Sequence, residues 1–529
     1  MMTHSLRLVA ALTTLVPYLS AAVELPAVLG TNMVVQQEVP IALWGWADVG
    51  EVVTVNLGGS EVGRATGAGP DTPWRITVPA QKPGPVADII VAGTNRLVLS
   101  NVLAGEVWLC SGQSNMVMTL IKSPISSYSG VLMGDQEVAA ATDANLRLFR
   151  EDSAGAKVPS ARPKGAWVVT SPEEAGSFSG TAYFFGRHLR SELKRPVGLI
   201  VSAVGGTPAA AWTPAEVLQA NSAYQQLKAE AQASKERLGP IAAEEDAASK
   251  AWKTAAEAAK KAKQPEPPKP TPKLTAAERA DLNDTDNLLR QSYLYNGKIH
   301  PLAPFTVRGV VWYQGESDAQ HPQIYAGLMT DLIGAWRRER GSDLPFLQIG
   351  IAGFSSKDAP VDTMLRSYSR IREEQQHVAD TLPAVAVINA VDLGNPSNIH
   401  PANKQEVGRR AALWALQHVY QSAVVGEGPR LGSAVFATGS ATVSVTGAIE
   451  GLKLTGPEGF ALAGEDRSFV PATAELKGTT IVLSAPSVAR PVAYRYAYTN
   501  CPTLTVVNGA GLPALPVRSD RWPVLSREK

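Results

Sequence analysis

Residues 106–116, Glu-Val-Trp-Leu-Cys-Ser-Gly-Gln-Ser-Asn-Met, decide the fold class. Residues 107–110 are all apolar, which is typical of a strand buried on both faces. A Ser-Gly turn follows them. Further buried-strand runs and an amphipathic helical pattern follow along the chain: the helical pattern is 184–193, and the runs are 196–201, 307–313, 344–351 and 384–391. This alternation predicts an α/β domain over residues 105–428, with a parallel sheet between two helical layers.

The segments on either side of this domain have a different composition. Residues 23–104 are rich in Val, Gly, Pro and Thr, and pieces such as 52–57 and 95–99 read as short strands between turns. Residues 429–529 return to the same pattern, with strands expected at 442–445, 480–483 and 493–496. We therefore expect a β-sandwich before the α/β domain and a second one after it.

Residues from about 215 to 295 interrupt the α/β pattern. Ala, Glu, Lys and Gln dominate there, which favours long solvated helices, whereas the proline-rich stretch 265–272 cannot be helical. These features predict a helical hairpin inserted into the domain. It would act as a lid or as a contact to a partner or a second copy, or it is a solvated decoration, which its composition favours.

The bulk properties exclude some classes of function. The 529 residues carry a formal charge of +1 and no dominant basic face, so nucleic acid is not an expected partner. Residues 8–19 are mostly apolar and precede Ser20-Ala21-Ala22, so residues 1–22 read as a signal peptide of a secreted or periplasmic protein without a membrane span. The only cysteines are Cys110 and Cys501, and the sequence leaves open whether they pair.

Ser114 is the candidate nucleophile. It follows a buried strand in a Gly-Gln-Ser-Asn turn, and ligands of parallel sheets bind at the carboxyl ends of the strands. A serine nucleophile also needs a base to take its proton and donors for the oxyanion. The backbone N–H of Ser114 is one such donor.

Two histidines compete for the role of base. His400 follows the strand run 384–391, and Pro401 can start the next helix, so the imidazole is expected at the carboxyl edge of the sheet. His300 has a similar Ile-His-Pro context but precedes a strand, which favours the opposite edge or a structural role. We therefore favour His400.

Two segments can supply further oxyanion donors. Gly205 and Gly206 follow the strand run 196–201, and glycine N–H groups can approach a substrate closely. Gln314 follows the run 307–313, and its side-chain amide is a second candidate. Either segment would otherwise be an ordinary tight turn.

Taken together, the chain resembles the sialate O-acetylesterase family of SGNH-type hydrolases. The resemblance covers nearly all of the chain after the signal peptide, except the insert, and rests on the segments 111–116, 178–186, 196–200, 205–207, 294–301, 312–317, 399–404 and 508–514. It implies an SGNH-type three-layer α/β/α fold and hydrolysis of O-acetyl esters on sugars, without a metal or a cofactor.

The resemblance also implies roles for individual residues. Ser114 would be the nucleophile and His400 the general base, and the oxyanion hole would combine the Ser114 N–H, a glycine of the Gly205–Gly206 pair and Gln314. The motifs further contain two supporting neighbours, Asn115 and Glu316.

One position departs from the wider superfamily, in which an Asp commonly stands three residues before the histidine. Here that position is Ser397, and the nearest preceding acid is Asp392. Asp392 could orient His400, or a backbone carbonyl could do so and leave a Ser–His dyad. The substrate also stays open between sialic acid and acetylated plant or algal polysaccharides. A protein of another class, a non-catalytic carbohydrate-binding protein on the same fold, is the competing hypothesis.

Overall fold

The first described region consists of short strands that form small antiparallel sheets. The computed structural model describes residues 22–122, 128–355 and 367–524, so all but the last residue of the expected signal peptide lies outside it. The strands are β1 (Val34–Gln36), β2 (Ile41–Gly45), β3 (Val52–Leu57), β4 (Ser60–Thr66), β5 (Trp74–Val78), β6 (Gly84–Val86), β7 (Ile89–Ala92), β8 (Arg96–Leu99) and β9 (Val102–Gly112). One sheet has the order β4-β3-β7-β8, and β2 pairs with β5, which confirms the predicted sandwich-like region.

β9 connects this region to the central sheet. β1 pairs in parallel and β6 in antiparallel fashion with its first residues, and its later residues pair with strands of the α/β domain. The expected domain boundary between residues 104 and 105 therefore falls inside one continuous strand.

The centre of the molecule is a mostly parallel sheet. Its further strands are β10 (Asp143–Glu151), β11 (Gly165–Thr170), β12 (Val197–Ala203), β13 (Gly309–Tyr313), β14 (Phe346–Ile349) and β15 (Val385–Ile388). The spatial order is β11-β10-β12-β9-β13-β14-β15; only the edge strand β11 runs antiparallel to its neighbour on this path. Alternate residues of β9 enter two different cores, Val107 and Leu109 one and Trp108 and Cys110 the other, as a strand buried on both faces requires.

Helices cover both faces of this sheet, so the predicted three-layer α/β/α arrangement is confirmed. α4 and α10 pack together over one core, whereas α8 and α9 cover the other. The helices are α1 (Ser114–Val117), α2 (Gly134–Ala139), α3 (Pro172–Ala175), α4 (Gly180–Leu193), α5 (Ala215–Ala220), α6 (Ser222–Lys261), α7 (Ala276–Leu288), α8 (Tyr325–Arg340), α9 (Tyr368–Thr381) and α10 (Lys404–His418). Within the described ranges, no helix is both long and apolar enough to cross a bilayer.

The insert is a helical hairpin, as its composition predicts. α6 spans 40 residues and packs against α7 around a small core of Leu238, Ala242, Leu274 and Leu282. The proline-rich connector between the helices has no regular structure, and Trp252 Nε1 donates a hydrogen bond to the Pro267 carbonyl at 2.9 Å. Most side chains of α6 are at least partly exposed.

The last region again consists of short strands. They are β16 (Arg430–Ala437), β17 (Ser440–Thr446), β18 (Leu452–Leu454), β19 (Phe460–Ala463), β20 (Val470–Pro471), β21 (Thr473–Lys477), β22 (Thr480–Ser484), β23 (Ala493–Tyr496), β24 (Val506–Asn508) and β25 (Val517–Arg518). Two four-stranded sheets, β16-β17-β22-β21 and β20-β19-β23-β25, contribute to a common core. Cys501 and the buried Cys110 of β9 are both free thiols, which answers the question of their pairing.

Candidate active site

Ser114 lies where β9 ends at the carboxyl edge of the sheet. Gly112 precedes it with φ +130°, and a Cβ at this position would lie only 2.2 Å from the Tyr313 carbonyl oxygen, so no other residue fits. Gln113 N–H donates to the same carbonyl at 2.9 Å. Ser114 then begins the single-turn helix α1 with 7 % of its surface exposed.

Gly205 lies beside Ser114. It follows β12, the neighbour of β9, and a Cβ at position 205 would lie 3.4 Å from Ser114 Cβ and 2.7 Å from Tyr128 Oη. Gly206 has φ +70° and no atom within 4 Å of its Cβ position. Among the described residues, the backbone N–H groups of Ser114, Gly205 and Gly206 have no acceptor, so they are available to a ligand.

His400 approaches the same point from the loop after β15. Asn115, next to the serine, donates its Nδ2 to the carbonyl of Ile399, next to the histidine, at 3.1 Å. The ring of Tyr128 packs edge-to-face on the imidazole, with centroids 4.8 Å apart. Among the described residues, no hydrogen bond joins Ser114 to the imidazole, and catalytic hydrogen bonds often tighten only when substrate binds.

A buried polar cluster of Asn115, Glu316 and Lys404 lies behind these residues. Asn115 Nδ2 also donates to Glu316 Oε1 at 2.7 Å, and Asn115 Oδ1 accepts from Lys404 Nζ at 2.6 Å. Lys404 is fully buried, and Glu316 is 3 % exposed. The cluster therefore fixes the serine turn, the loop after β13 and the start of α10 relative to one another.

Burial changes the proton affinities of these groups. Burial, reinforced by the positive charge of Lys404, lowers the pKa of His400 to about 4. Burial lowers the pKa of Lys404 to about 7, and the nearby Glu316 opposes that shift. Burial raises the pKa of Glu316, while the hydrogen bond from Asn115 and the charge of Lys404 act in the other direction. The imidazole is therefore neutral at physiological pH, as a base requires.

The structure does not bring the Gln314 amide into the oxyanion hole. Gln314 is fully buried, and its Nε2 donates to the Thr207 carbonyl and to Asp318 Oδ2, while its Oε1 accepts from the Tyr325 hydroxyl. Both amide hydrogens are used, so none is left for a substrate. Gln314 instead ties the loop after β12 to the loop after β13, because Asp318 Oδ2 also accepts from Ala209 N–H.

Asp392 does not contact His400 through a hydrogen bond either. Its two carboxylate oxygens each accept from the Arg410 guanidinium at 2.7 Å. Among the described residues, neither a carboxylate nor a backbone carbonyl accepts a hydrogen bond from the His400 ring. The expectation that Asp392 orients the histidine therefore has no support in the geometry.

His300 lies away from this site, as its position before a strand suggests. Its Nδ1 lies 2.6 Å from Glu339 Oε1 near the end of α8, and it lines a cavity of about 470 Å³ together with Trp44 and Trp46 of the first region.

Sequence patterns do not single out two residues of the site. Lys404 is the first residue of α10, where a cation is unfavourable to the helix dipole, and that mismatch is a signal that it has another task. Tyr128 lies in an irregular segment before α2, and nothing in its local pattern marks it.

Comparisons with known proteins identify the family of the chain. The family described as carbohydrate esterase, sialic acid-specific acetylesterase, matches residues 104–244 and 286–417. The sialate O-acetylesterase of Rattus norvegicus is 28% identical over 427 residues, covering 73% of this chain and 72% of the relative, and that of Homo sapiens is 28% identical over 445 residues, covering 76% and 72%.

A solved structure shows the same fold. The carbohydrate acetylesterase from Xanthomonas citri superposes with a TM-score of 0.76 at 30% identity, over 94% of this chain and 100% of that one. The family match spans both sides of the insert and contains Ser114, Gly205, Glu316 and His400. The chain belongs to the carbohydrate esterase family of sialic acid-specific acetylesterases, and it is a carbohydrate O-acetylesterase.

Proposed function

We propose that the protein deacetylates carbohydrates through a covalent acetyl-enzyme, with Ser114 as nucleophile and His400 as general base. The observation that carries this proposal is the convergence of three separate loops at one point. The Cβ position of Gly205 lies 3.4 Å from Ser114 Cβ, and the hydrogen bond from Asn115 to the Ile399 carbonyl ties the serine turn to the histidine loop. The three loops follow different strands of one sheet at its carboxyl edge, where α/β folds bind their ligands.

The reaction follows from these positions. Ser114 Oγ attacks the acetyl carbonyl carbon while His400 accepts the hydroxyl proton. The N–H groups of Ser114 and Gly205 donate to the oxyanion of the tetrahedral intermediate. His400 then gives the proton to the departing sugar oxygen, and the C–O bond to the sugar breaks. Water attacks the acetyl-enzyme with His400 again as base, and acetate and free Ser114 are released.

We further propose that Ser114 and His400 act as a dyad. The Asp392 carboxylate is engaged by Arg410, and the imidazole is held by packing against Tyr128 and by the backbone bond from His400 N–H to Asn398 Oδ1 at 2.9 Å. The cluster of Asn115, Glu316 and Lys404 keeps the two loops in register. Its members are positioning residues because each acts on the reacting atoms through another residue.

Turnover of p-nitrophenyl acetate tests the assignment. Ser114→Ala and His400→Asn should each lower kcat by about 10³-fold or more, as the loss of a nucleophile or base does in serine hydrolases. The chain offers matched controls in Ser111→Ala, a buried serine of β9 whose Oγ has no partner in the described chain, and His300→Asn, in a similar His-Pro context. Both controls should keep wild-type kcat. Full activity in Ser114→Ala would exclude the mechanism.

The sugar is proposed to be sialic acid or an acetylated plant or algal polysaccharide unit. Acetate release from O-acetylated sialic acids, acetylated xylan and acetylated pectin, compared as kcat/KM, separates these substrates. A kcat/KM on sialic acid esters that is lower than that on acetylated xylan or acetylated pectin would move the assignment to the polysaccharides.

Export is part of the same proposal, because residues 1–22 have the pattern of a signal peptide. Sequencing the N-terminus of protein recovered from the extracellular or periplasmic fraction tests it. The expected first residue is Val23, and an intact Met1 there would contradict signal cleavage.

A further inference from the structure

Tyr128 lies against both the proposed general base, His400, and the proposed oxyanion glycine, Gly205. Its ring packs edge-to-face on His400, with a centroid distance of 4.8 Å and an angle of 71° between the planes. Its hydroxyl lies 2.7 Å from the point that a Cβ of residue 205 would occupy, and the same point is 3.4 Å from Ser114 Cβ. The side chain therefore extends from the general base to the oxyanion glycine, beside the nucleophile.

The chemistry of the tetrahedral intermediate assigns three of the directions around the reacting carbon. Ser114 Oγ is one substituent, the oxyanion turns toward the N–H groups of Ser114 and Gly205, and the leaving oxygen turns toward His400 to receive its proton. The fourth substituent is the acyl chain. A side chain that touches both His400 and Gly205 borders the space left for it.

From this placement we infer that Tyr128 is the wall of the acyl pocket and limits the enzyme to the acetyl group. The inference rests on the proposed roles of Ser114 and His400. Tyr128 is half-buried, and burial raises the pKa of its phenol, so the wall is neutral throughout the working range of pH. A neutral aromatic edge favours a methyl group of the substrate and excludes longer chains by contact.

The inference explains a selectivity for the acetyl group that the other residues near Ser114 do not supply. Gly205 and Gly206 have no side chain, and the polar groups of Asn115, Glu316 and Lys404 are bonded to one another behind the serine. The Gln314 amide is bonded away from the substrate. Among these residues, Tyr128 is the one whose side chain lies against both His400 and the Cβ position of Gly205.

The test compares p-nitrophenyl acetate with p-nitrophenyl butyrate, which share a leaving group and differ only in the acyl chain. Tyr128→Phe should keep the wild-type ratio of the two kcat/KM values. Tyr128→Val and Tyr128→Ala should raise the butyrate-to-acetate ratio stepwise, by roughly tenfold or more for alanine, in the range that added methylenes produce in a shaped pocket.

Several results would overturn the inference. A Tyr128→Phe variant that loses about 10²-fold in kcat would make the hydroxyl an oxyanion donor instead. An unchanged acyl ratio in Tyr128→Ala, together with a changed preference between p-nitrophenyl acetate and an acetylated sugar, would assign the ring to the sugar. Loss of acetate turnover in both smaller variants, with no gain on butyrate, would make Tyr128 a positioning residue for His400.

The failure of the proposed function gives a different result. Ser114→Ala introduced into the Tyr128→Ala protein should abolish the hydrolysis of both esters. If turnover survives, the nucleophile is misassigned whatever the acyl ratio shows. If turnover is lost but the ratio in Tyr128→Ala equals that of the wild type, only the inference about Tyr128 fails.

Discussion

Replacing Asp392 with asparagine separates catalysis from stability in this enzyme. The carboxylate forms a bidentate pair with Arg410, with both oxygen–nitrogen distances at 2.7 Å, and the structure shows no bond from it to His400. Asparagine has the same shape but no charge, and its NH₂ group would face a guanidinium donor. We expect Asp392→Asn to weaken the fold and leave the chemistry intact.

The expected loss of stability follows from burial. Pairs on the surface contribute about 0–1 kcal/mol, whereas breaking a buried pair costs about 3–5 kcal/mol. The Asp392 side chain is 27 % exposed and that of Arg410 is 7 % exposed, which places the pair between these limits. Arg410 also keeps its bonds to Glu406 and to the Asn389 carbonyl. A decrease of about 1–3 kcal/mol in the free energy of unfolding is therefore expected.

The two hypotheses about Asp392 predict values of kcat that differ by orders of magnitude. Removing the acid that orients a catalytic histidine costs about 10⁴-fold in kcat in a serine protease triad. In this protein kcat should stay within about threefold of wild type at a temperature well below the unfolding midpoint, because no such bond exists in the structure.

Urea unfolding measures the change in the free energy of unfolding, and p-nitrophenyl acetate turnover on the same preparation measures the change in kcat. Glu406→Gln is the matched control, because it removes the other carboxylate on Arg410 and should likewise reduce stability without loss of activity. A 10³-fold loss of kcat in Asp392→Asn with an unchanged unfolding midpoint would refute this reasoning and restore Asp392 to the mechanism.

Four further predictions concern the site itself. Since His400 must be neutral to accept a proton and its pKa is lowered to about 4, kcat/KM should stay flat on acidification until about pH 4–5, measured as acetate release; a decline centred at pH 6–7 would contradict this. Lys404→Met removes a positive charge that lowers the pKa of His400, so the acidic limb should move to higher pH in the same assay. Burial lowers the pKa of Lys404 from its ordinary value of 10.5 to about 7, so the unfolded chain binds one more proton between these pH values. The contribution of this group to wild-type stability therefore rises with pH across that window, and urea unfolding of Lys404→Met should lack that rise. In Gly205→Ala the new Cβ would lie 2.7 Å from Tyr128 Oη, so the ring or the glycine loop with its N–H must shift. A shift of about 1 Å in such a site costs about 10²-fold, so kcat should fall by about that factor, and a wild-type kcat would place the oxyanion elsewhere.

Sequence patterns predicted most of the α/β core because its strands are continuous apolar runs. The same patterns do not predict β10 and β11. β10 carries buried charged residues that interrupt its apolar pattern. Arg147 within it donates to the backbone carbonyl of Asn32 at 3.0 Å, and Glu151 pairs with the buried Lys298. Such residues look solvated until their long-range partners are known.

Local sequence patterns likewise predict only part of the site. Ser114, Gly205 and His400 could be proposed from their places after strands, because the carboxyl ends of parallel strands share one edge. The hydrogen-bond partners of Gln314 and Asp392 could not be predicted in this way. An amide or a carboxylate has many possible partners, and only the folded chain selects among them. The bond from Lys404 to Asn115 joins residues 289 positions apart, a distance at which local patterns carry no information.

The continuous strand β9 limits how this enzyme can be divided. Its first residues hold β1 and β6, and its last residues lead into the turn of Ser114. Removing the first region would strip two partners from a strand that ends at the proposed nucleophile. The N-terminal sheets are therefore not an exchangeable module: recombination, grafting onto another esterase or truncation at residue 104 would each cut through the support of Ser114.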